Sequence, residues 1–279
     1  MKLLVILCGL LLCYACQPQN RNTQPRTRSI TDALGRKVVL QDSIQRIVCI
    51  RASAIRLVTY AGGVPFICGV EEQECRPNEY THILAHPELA RKPIIGPSMG
   101  GDAELILTVC PDVIFMSATT VEDADALQTR TNIPVFTIEY GDLHRNRPCF
   151  YQSLRKIAQV LHTERHTDSL IRFIDEQIAE LRQRTTSSTH APKTYVGGIS
   201  YRGQRGITST DPYYAAFQFI GADNVASCID STYISPINGT YIDREQLFEW
   251  DPEIIFIDTG GLPLVKEDLR KQKKLNSLL

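Results

Sequence analysis

Arginines, hydroxyl residues and tyrosines gather just after the apolar runs of this chain. Arg51, Ser53 and Arg56 follow "RIVCI" (46–50), Ser117 follows "DVIFM", and Tyr140 follows "PVFTIE" (134–139). Further on, Tyr201 and Arg202 follow "GGIS", with Thr208, Ser209, Tyr213 and Tyr214 close behind. A guanidinium presents a fork of donors to two oxygens of an anion, and a phenol presents a flat apolar face with a polar tip. Such a set suits capture of a bulky anion. A chelatase or metal-dependent hydrolase would instead need convergent His, Asp and Glu at the same places.

The motifs of other chemistries are missing from their required contexts. No Walker loop, GxSxG elbow, HExxH helix or dinucleotide-binding GxGxxG is present. "GPSMGG" (96–101) lacks the Lys-Ser/Thr of a phosphate loop and reads as a turn leading to a helix capped by Asp102. His82 and His86 are spaced i,i+4, but Pro87 follows them, so surface roles are expected rather than a metal-binding helix. "NGT" at Asn238 reads as a turn. With 30 basic and 31 acidic residues and no one-sign block, the electrostatic footprint of a nucleic-acid binder is absent.

What must position the strand-end residues is a parallel sheet. The runs at 46–50, 66–70, 93–96, 112–117 and 134–139 are continuously apolar and rich in β-branched residues, which is what a strand covered on both faces requires. Between Pro148 and Arg184 the period becomes helical, with Leu154, Ile157, Ala158 and Leu161, then Leu170, Ile174, Ile178 and Leu181. The strand pattern restarts with "TYVGGIS" (194–200), a helix near Tyr213–Ile220, a short strand at Asn224–Ala226 and "EIIFID" (253–258). The expectation is an α/β fold of two Rossmann-like lobes with parallel sheets, joined by a long interlobe helix, with the ligand in the cleft between them. The lobes are placed at 30–147 and 191–279, with the interlobe helix region at 148–190.

"MKLLVILCGLLLCYAC" carries Lys2, an apolar run from Leu3 to Leu12, and Ala15 directly before Cys16. That reads as an export signal (1–16), too short for a membrane span, with a cysteine at the cut site as in a bacterial lipoprotein, the alternative being an ordinary signal peptide cut elsewhere. In the lipoprotein reading Cys16 is the lipidated N-terminus, on the periplasmic or cell-surface face of a bacterial membrane, and residues 17–29 form a flexible tether. Of the six cysteines beyond it, Cys49, Cys68 and Cys110 lie in apolar patterns and read as small buried hydrophobes.

One pattern occurs twice. "AELILTVCPDVIFM" (103–116) returns as "REQLFEWDPEIIFI" (244–257), each with an Asp (Asp102, Asp243) two residues before a Glu (Glu104, Glu245) and a proline (Pro111, Pro252) seven residues later. The chain also holds, in order from Ile30, "ITDALGRKVVL", "RIV" followed by Ala and Ser and a helix, "GVEE", a Gly-rich turn and the two Glu…Pro segments. This ordered set resembles the helical-backbone periplasmic binding proteins, the substrate-binding lipoproteins of ABC importers for iron-siderophores, haem and cobalamin. The resemblance implies capture without chemistry and without a cofactor of the protein's own, iron being carried within the bound ligand. A ferric siderophore leads, with haem or cobalamin as alternatives; Tyr140 or Tyr201 could meet a haem iron. It further implies that Glu104 and Glu245, one on each lobe, dock on the two-subunit permease, although carboxylates at a helix start are also favoured by the helix dipole alone. Partners are thus a small metal complex and a permease dimer, with membrane contact only through the lipid, no nucleic acid, and the chain itself a monomer. Family members continue past "KKLNSLL" with a further strand and helices, so the second lobe is expected to be incomplete.

Overall fold

The computed structural model describes residues 26–51, 53–76, 80–143, 145–186, 191–200, 203–234 and 239–271. Cys16, Tyr201, Arg202 and Asn238 lie outside the described residues. An antiparallel hairpin, β1 (Thr27–Thr31) with β2 (Lys37–Gln41), opens the fold. The Asp32 carboxylate caps its turn by accepting the Leu34 and Arg36 N–H groups. Thr27–Ser29, expected as the end of a tether, are strand instead. The register pairs Thr27 with Gln41, and the Arg28 guanidinium reaches the carbonyls of Gln159 and Val160, both at 2.6 Å.

The first lobe is built on β3 (Ile47–Ile50), β4 (Ile67–Gly69), β5 (Val113–Met116) and β6 (Val135–Thr137), all parallel in the order β4-β3-β5-β6. Alternate residues of β3 point to opposite faces. Ile47 and Cys49 enter one core beneath α1 (Ala54–Tyr60), while Val48 and Ile50 enter a second with Ile106 and Leu127, carried on helices along the chain from β4. Both faces are therefore dry, which explains the uninterrupted apolar runs. The run at 93–96 does not become a strand. Only Ile94 bridges to Val70, because Pro93 has no N–H to donate and Gly96, at φ 146°, turns the chain away.

Helices α2 (Thr81–Ala85), α3 (Ala103–Thr108) and α4 (Val121–Thr131) complete the first lobe. The interlobe stretch, expected as one long helix or a pair, is a pair: α5 (Arg147–Leu161) and α6 (Glu164–Thr186), separated where His162 takes a left-handed φ of 57°. Leu154 and Ile157 of α5 and Ile171 of α6 lie in the first lobe's core. At its other end α6 borders, through Arg182, Thr185 and Thr186, an open hollow of about 520 Å³ shared with Ile220, Ile254 and Phe256 of the second lobe.

That lobe holds β7 (Lys193–Gly197) between β9 (Asp223–Asn224) and β11 (Ile254–Ile257), all parallel, with a separate antiparallel pair, β8 (Ser209–Thr210) and β10 (Thr240–Tyr241). Tyr195, Ile207, Leu247 and Val265 form its core, under α8 (Arg244–Trp250) and α9 (Leu262–Lys271), with α7 (Ala215–Ile220) toward α6. β11 is an edge strand: Ile255 and Ile257 pack inward, while Ile254 and Phe256 stay 42% and 45% exposed.

The repeated segment now has a structural meaning. After each proline an acidic residue clamps the start of the neighbouring strand. Asp112 accepts the Arg46 N–H at 2.8 Å and returns its own N–H to the Arg46 carbonyl at 2.8 Å. Glu253 does the same to Lys193, at 3.0 and 2.9 Å. The following strands then pair in parallel, Val113 with Ile47 and Ile254 with Thr194.

The cysteines divide by environment, and all six of the described ones are free. Cys49 is buried and Cys68 half-buried, but Cys110 is exposed, contrary to the expectation. It sits at φ 42° in the turn after α3, which carries its side chain outward from the apolar pattern around it. Burial raises the thiols of Cys49, Cys68 and Cys75, and pushes that of Cys149 up to about 11.

Truncating Leu154, fully buried, to Ala should cost about 2–5 kcal/mol in urea unfolding. Ile254→Ala, on the exposed face of β11, should cost less than half as much. Equal costs would mean that the edge strand is covered in solution.

Candidate functional site

At the carboxyl ends of the first lobe's strands the backbone is strained. Arg51 (φ 69°) and Ser53 (φ 64°) after β3, Ala118 (φ 47°) after β5 and Met99 (φ 66°) in the Gly-rich turn are all left-handed without being glycine. Such conformations cost on the order of 1–3 kcal/mol each and persist only where surroundings enforce them, commonly at ligand sites. Here the enforcing group is a buried carboxylate. Glu71, 2% exposed, accepts the Arg51 N–H at 3.0 Å and also bonds the backbone of Gly100. It thus joins the loop after β3 to the turn that carries Met99.

Behind Glu71 the polar chain continues. The Gln73 amide donates to both Glu71 and Glu74 at 3.2 Å, and Glu74 meets His82 Nε2 at 2.6 Å with both side chains buried. The Tyr80 ring stacks on His82 at 5.6 Å. His82 is therefore not the surface residue expected: the short helix α2 turns it inward against Glu74, while half-exposed His86 meets Glu88. Burial pushes the Glu71 carboxyl up to about 7, helped by the Glu74 charge and opposed by the N–H groups of Arg51 and Gly100.

The sequence-designated residues divide between bracing and lining. Arg51 braces: its guanidinium donates to the Ala118 carbonyl and to Asp123, both at 3.0 Å, tying the end of β3 to the loop after β5. Arg56 and Ser53 line a pocket of about 400 Å³ with Tyr80, His82 and Met99. Arg56 donates to Ser53 Oγ at 3.2 Å, while its Nε is buried with no hydrogen-bond partner among the described residues. Ser117 is fully buried, and Tyr140 is 49% exposed.

In the second lobe Ser209 is buried within β8, donating to the Ile199 carbonyl at 2.7 Å, and Thr208 is half-buried. The Asp211 carboxylate holds the Tyr213 N–H at 2.9 Å, and Tyr214 packs edge-on against Phe217 at 4.9 Å. The structure thus gathers Arg56 and Ser53 in one pocket, sets Tyr213 and Tyr214 on the other lobe, and leaves Ser117 and Ser209 inside. A residue that the sequence did not single out, Arg145, lies with its guanidinium carbon 4.1 Å from the Tyr213 ring centre, across from one lobe to the other. "GDLHRNRP" has no periodicity to mark it; only its place in the loop after β6 could have done so.

Glu104 and Glu245 are both exposed and both in the first turn of their helices. Their caps differ. Asp102 accepts the Glu104 and Leu105 N–H groups at 2.9 and 3.0 Å, whereas the Asp243 side chain makes no capping bond, so the second copy repeats the cap in position only.

Among the described residues no group of three or more His, Cys, Asp or Glu could hold a metal ion, and no helix is long and apolar enough to cross a membrane. Two α/β lobes with a pocket at the strand ends form a device for holding a solute. The chain belongs to the periplasmic binding protein family, whose pattern it matches over residues 47–278. That family consists of solute-binding proteins of ABC transporters rather than enzymes, and it implies a periplasmic location. The chain is 22% identical over 264 residues to the molybdate-binding protein MolA of Haemophilus influenzae, covering 88% of this chain and 72% of MolA. Its fold is similar to that of MolA bound to molybdate (TM-score 0.63, 22% identity, 87% and 77% covered). A periplasmic solute-binding protein of Veillonella parvula gives 0.63 (19% identity, 84% and 69% covered). The catecholate-siderophore binding protein VctP of Vibrio cholerae gives 0.58 (20% identity, 83% and 78% covered).

The Glu71 carboxyl supplies a pH signature. Its folded pKa lies above the unfolded value, so its contribution to stability is complete below about 4.5 and is lost as pH rises through about 7. Glu71→Gln, always neutral, should therefore gain thermal stability relative to the parent between pH 5 and pH 8. A difference in Tm that stays constant over that range would show that Glu71 keeps an ordinary pKa.

Proposed function

We propose that this protein is the substrate-binding lipoprotein of an ABC importer, anchored through Cys16, which captures an anionic metal complex in its interlobe cleft, a ferric siderophore first. The observation that carries this reading is Arg56. Its guanidinium borders the strand-end pocket and makes no ion pair among the described residues, so its pocket-facing donors are available to the oxygens of an anion. Exposed Tyr140, with Tyr213 and Tyr214 on the facing lobe, supplies the flat surfaces that an aromatic chelate prefers. The assignment of 30–147 and 191–279 as lobes around a 148–190 connector and the monomeric state belong to the same reading.

A second reading is favoured by two observations. The similarity to MolA and a pocket of only about 400 Å³ suit a small oxyanion, molybdate, better than a bulky chelate. Titrating the chain from Cys16 onward with a ferric siderophore, molybdate, haem and cobalamin, followed by intrinsic fluorescence, separates these outcomes. Saturation by the siderophore, weakened at least about tenfold in Arg56→Ala, is expected. Saturation by molybdate alone establishes the second reading, and no saturable response to any of the four removes both.

Loaded protein then docks on the permease dimer through Glu104 and Glu245, charges that set orientation and encounter rate. The double variant Glu104→Arg, Glu245→Arg should bind solute as the parent does and fail to support import. Unimpaired import by that variant would leave the two glutamates only as helix starts.

A further inference from the structure

We propose that Arg145, held on the ring of Tyr213 in the opposite lobe, is the residue that makes the cleft selective for anions. The proposal rests on the reading of the cleft as an anion site and deepens it.

The arginines at the strand ends are not equivalent. Arg51 is neutralised by Asp123 at 3.0 Å and is committed to the Ala118 carbonyl. Arg56 keeps its charge but lines a pocket formed by the first lobe alone, where it donates to Ser53. Among the described residues no carboxylate pairs with Arg145; its partner is an aromatic face at 4.1 Å. A guanidinium on a ring keeps its whole positive charge and its in-plane donors for a further partner, which one paired to a carboxylate does not. It is also exposed, so the charge acts on the cleft rather than on a core.

Both partners are placed in advance. Arg145 belongs to the tight loop between β6 and α5, where the Asn146 N–H bonds the Asp142 carboxylate at 3.0 Å and the Phe150 N–H bonds the Asn146 carbonyl at 2.9 Å. A Cβ on Gly141 would collide with the Asn146 carbonyl oxygen and the Phe150 nitrogen, so the loop closes this tightly only with glycine there. Across the cleft, Asp211 fixes the Tyr213 backbone. A solute between the lobes thus meets a cation whose position is set from both sides, and little order has to be gained on binding. Tyr213 acts as a positioning residue, through Arg145.

The test compares two ferric chelates of different charge, an anionic catecholate complex and an uncharged hydroxamate complex, with molybdate as a third probe, by calorimetry at low and moderate salt. Arg145→Ala should weaken whichever anionic probe the parent binds by about tenfold or more, flatten the salt dependence, and leave the uncharged chelate within about twofold. Arg145→Lys should keep most of the salt dependence, and Tyr213→Leu should weaken the anion by about three- to fivefold while Tyr213→Phe does not. Unchanged anion affinity in Arg145→Ala, or equal losses for charged and uncharged chelates, overturns this inference and leaves the anion site intact. Failure of the parent to bind any anionic probe overturns both.

Discussion

A strand covered on both faces carries a polar side chain only where that group finds a hydrogen-bond partner, as Thr194 does on the Asp223 carbonyl, and most of this molecule follows from that constraint. β3 lies between β4 and β5 with every residue buried, feeding one core with Ile47 and Cys49 and another with Val48 and Ile50. Chemistry is thereby displaced to the strand's end, where the chain must also turn at once into α1. Arg51 and Ser53 adopt left-handed backbone there, and the buried Glu71 side chain accepts the Arg51 N–H.

Much of this was legible in the sequence. Continuous apolar runs announced the parallel sheets, and the helical period between 148 and 184 announced the connector. Two kinds of feature were not legible. Short pairings such as β8 with β10 span only two residues and carry no pattern. Partnerships between distant polar residues leave no spacing to read: Glu74 with His82 depends on how α2 folds back, and Arg145 with Tyr213 depends on how two lobes face each other. The place of Arg51 after an apolar run suggested an anion contact, but nothing in the sequence marked its pairing with Asp123.

The twofold segment shows how a repeat can keep one function and lose another. The clamp after the proline is retained in full, in Asp112 on Arg46 and Glu253 on Lys193, because each new strand must be set in register beside its neighbour. The cap before the helix is retained only in type. Asp102 bonds two N–H groups and Asp243 none. The glutamate that follows is exposed in both copies.

The thiols acquire a meaning from the compartment that the family implies. Disulfide exchange proceeds through the thiolate, and a thiol kept protonated does not attack. Cys49, Cys68, Cys75 and Cys149 are all held above their ordinary range by burial, so they can cross an oxidising space as inert packing atoms. Cys110 and Cys228, turned outward, are the places where mixed disulfides with small thiols, or covalent pairs of chains, would begin.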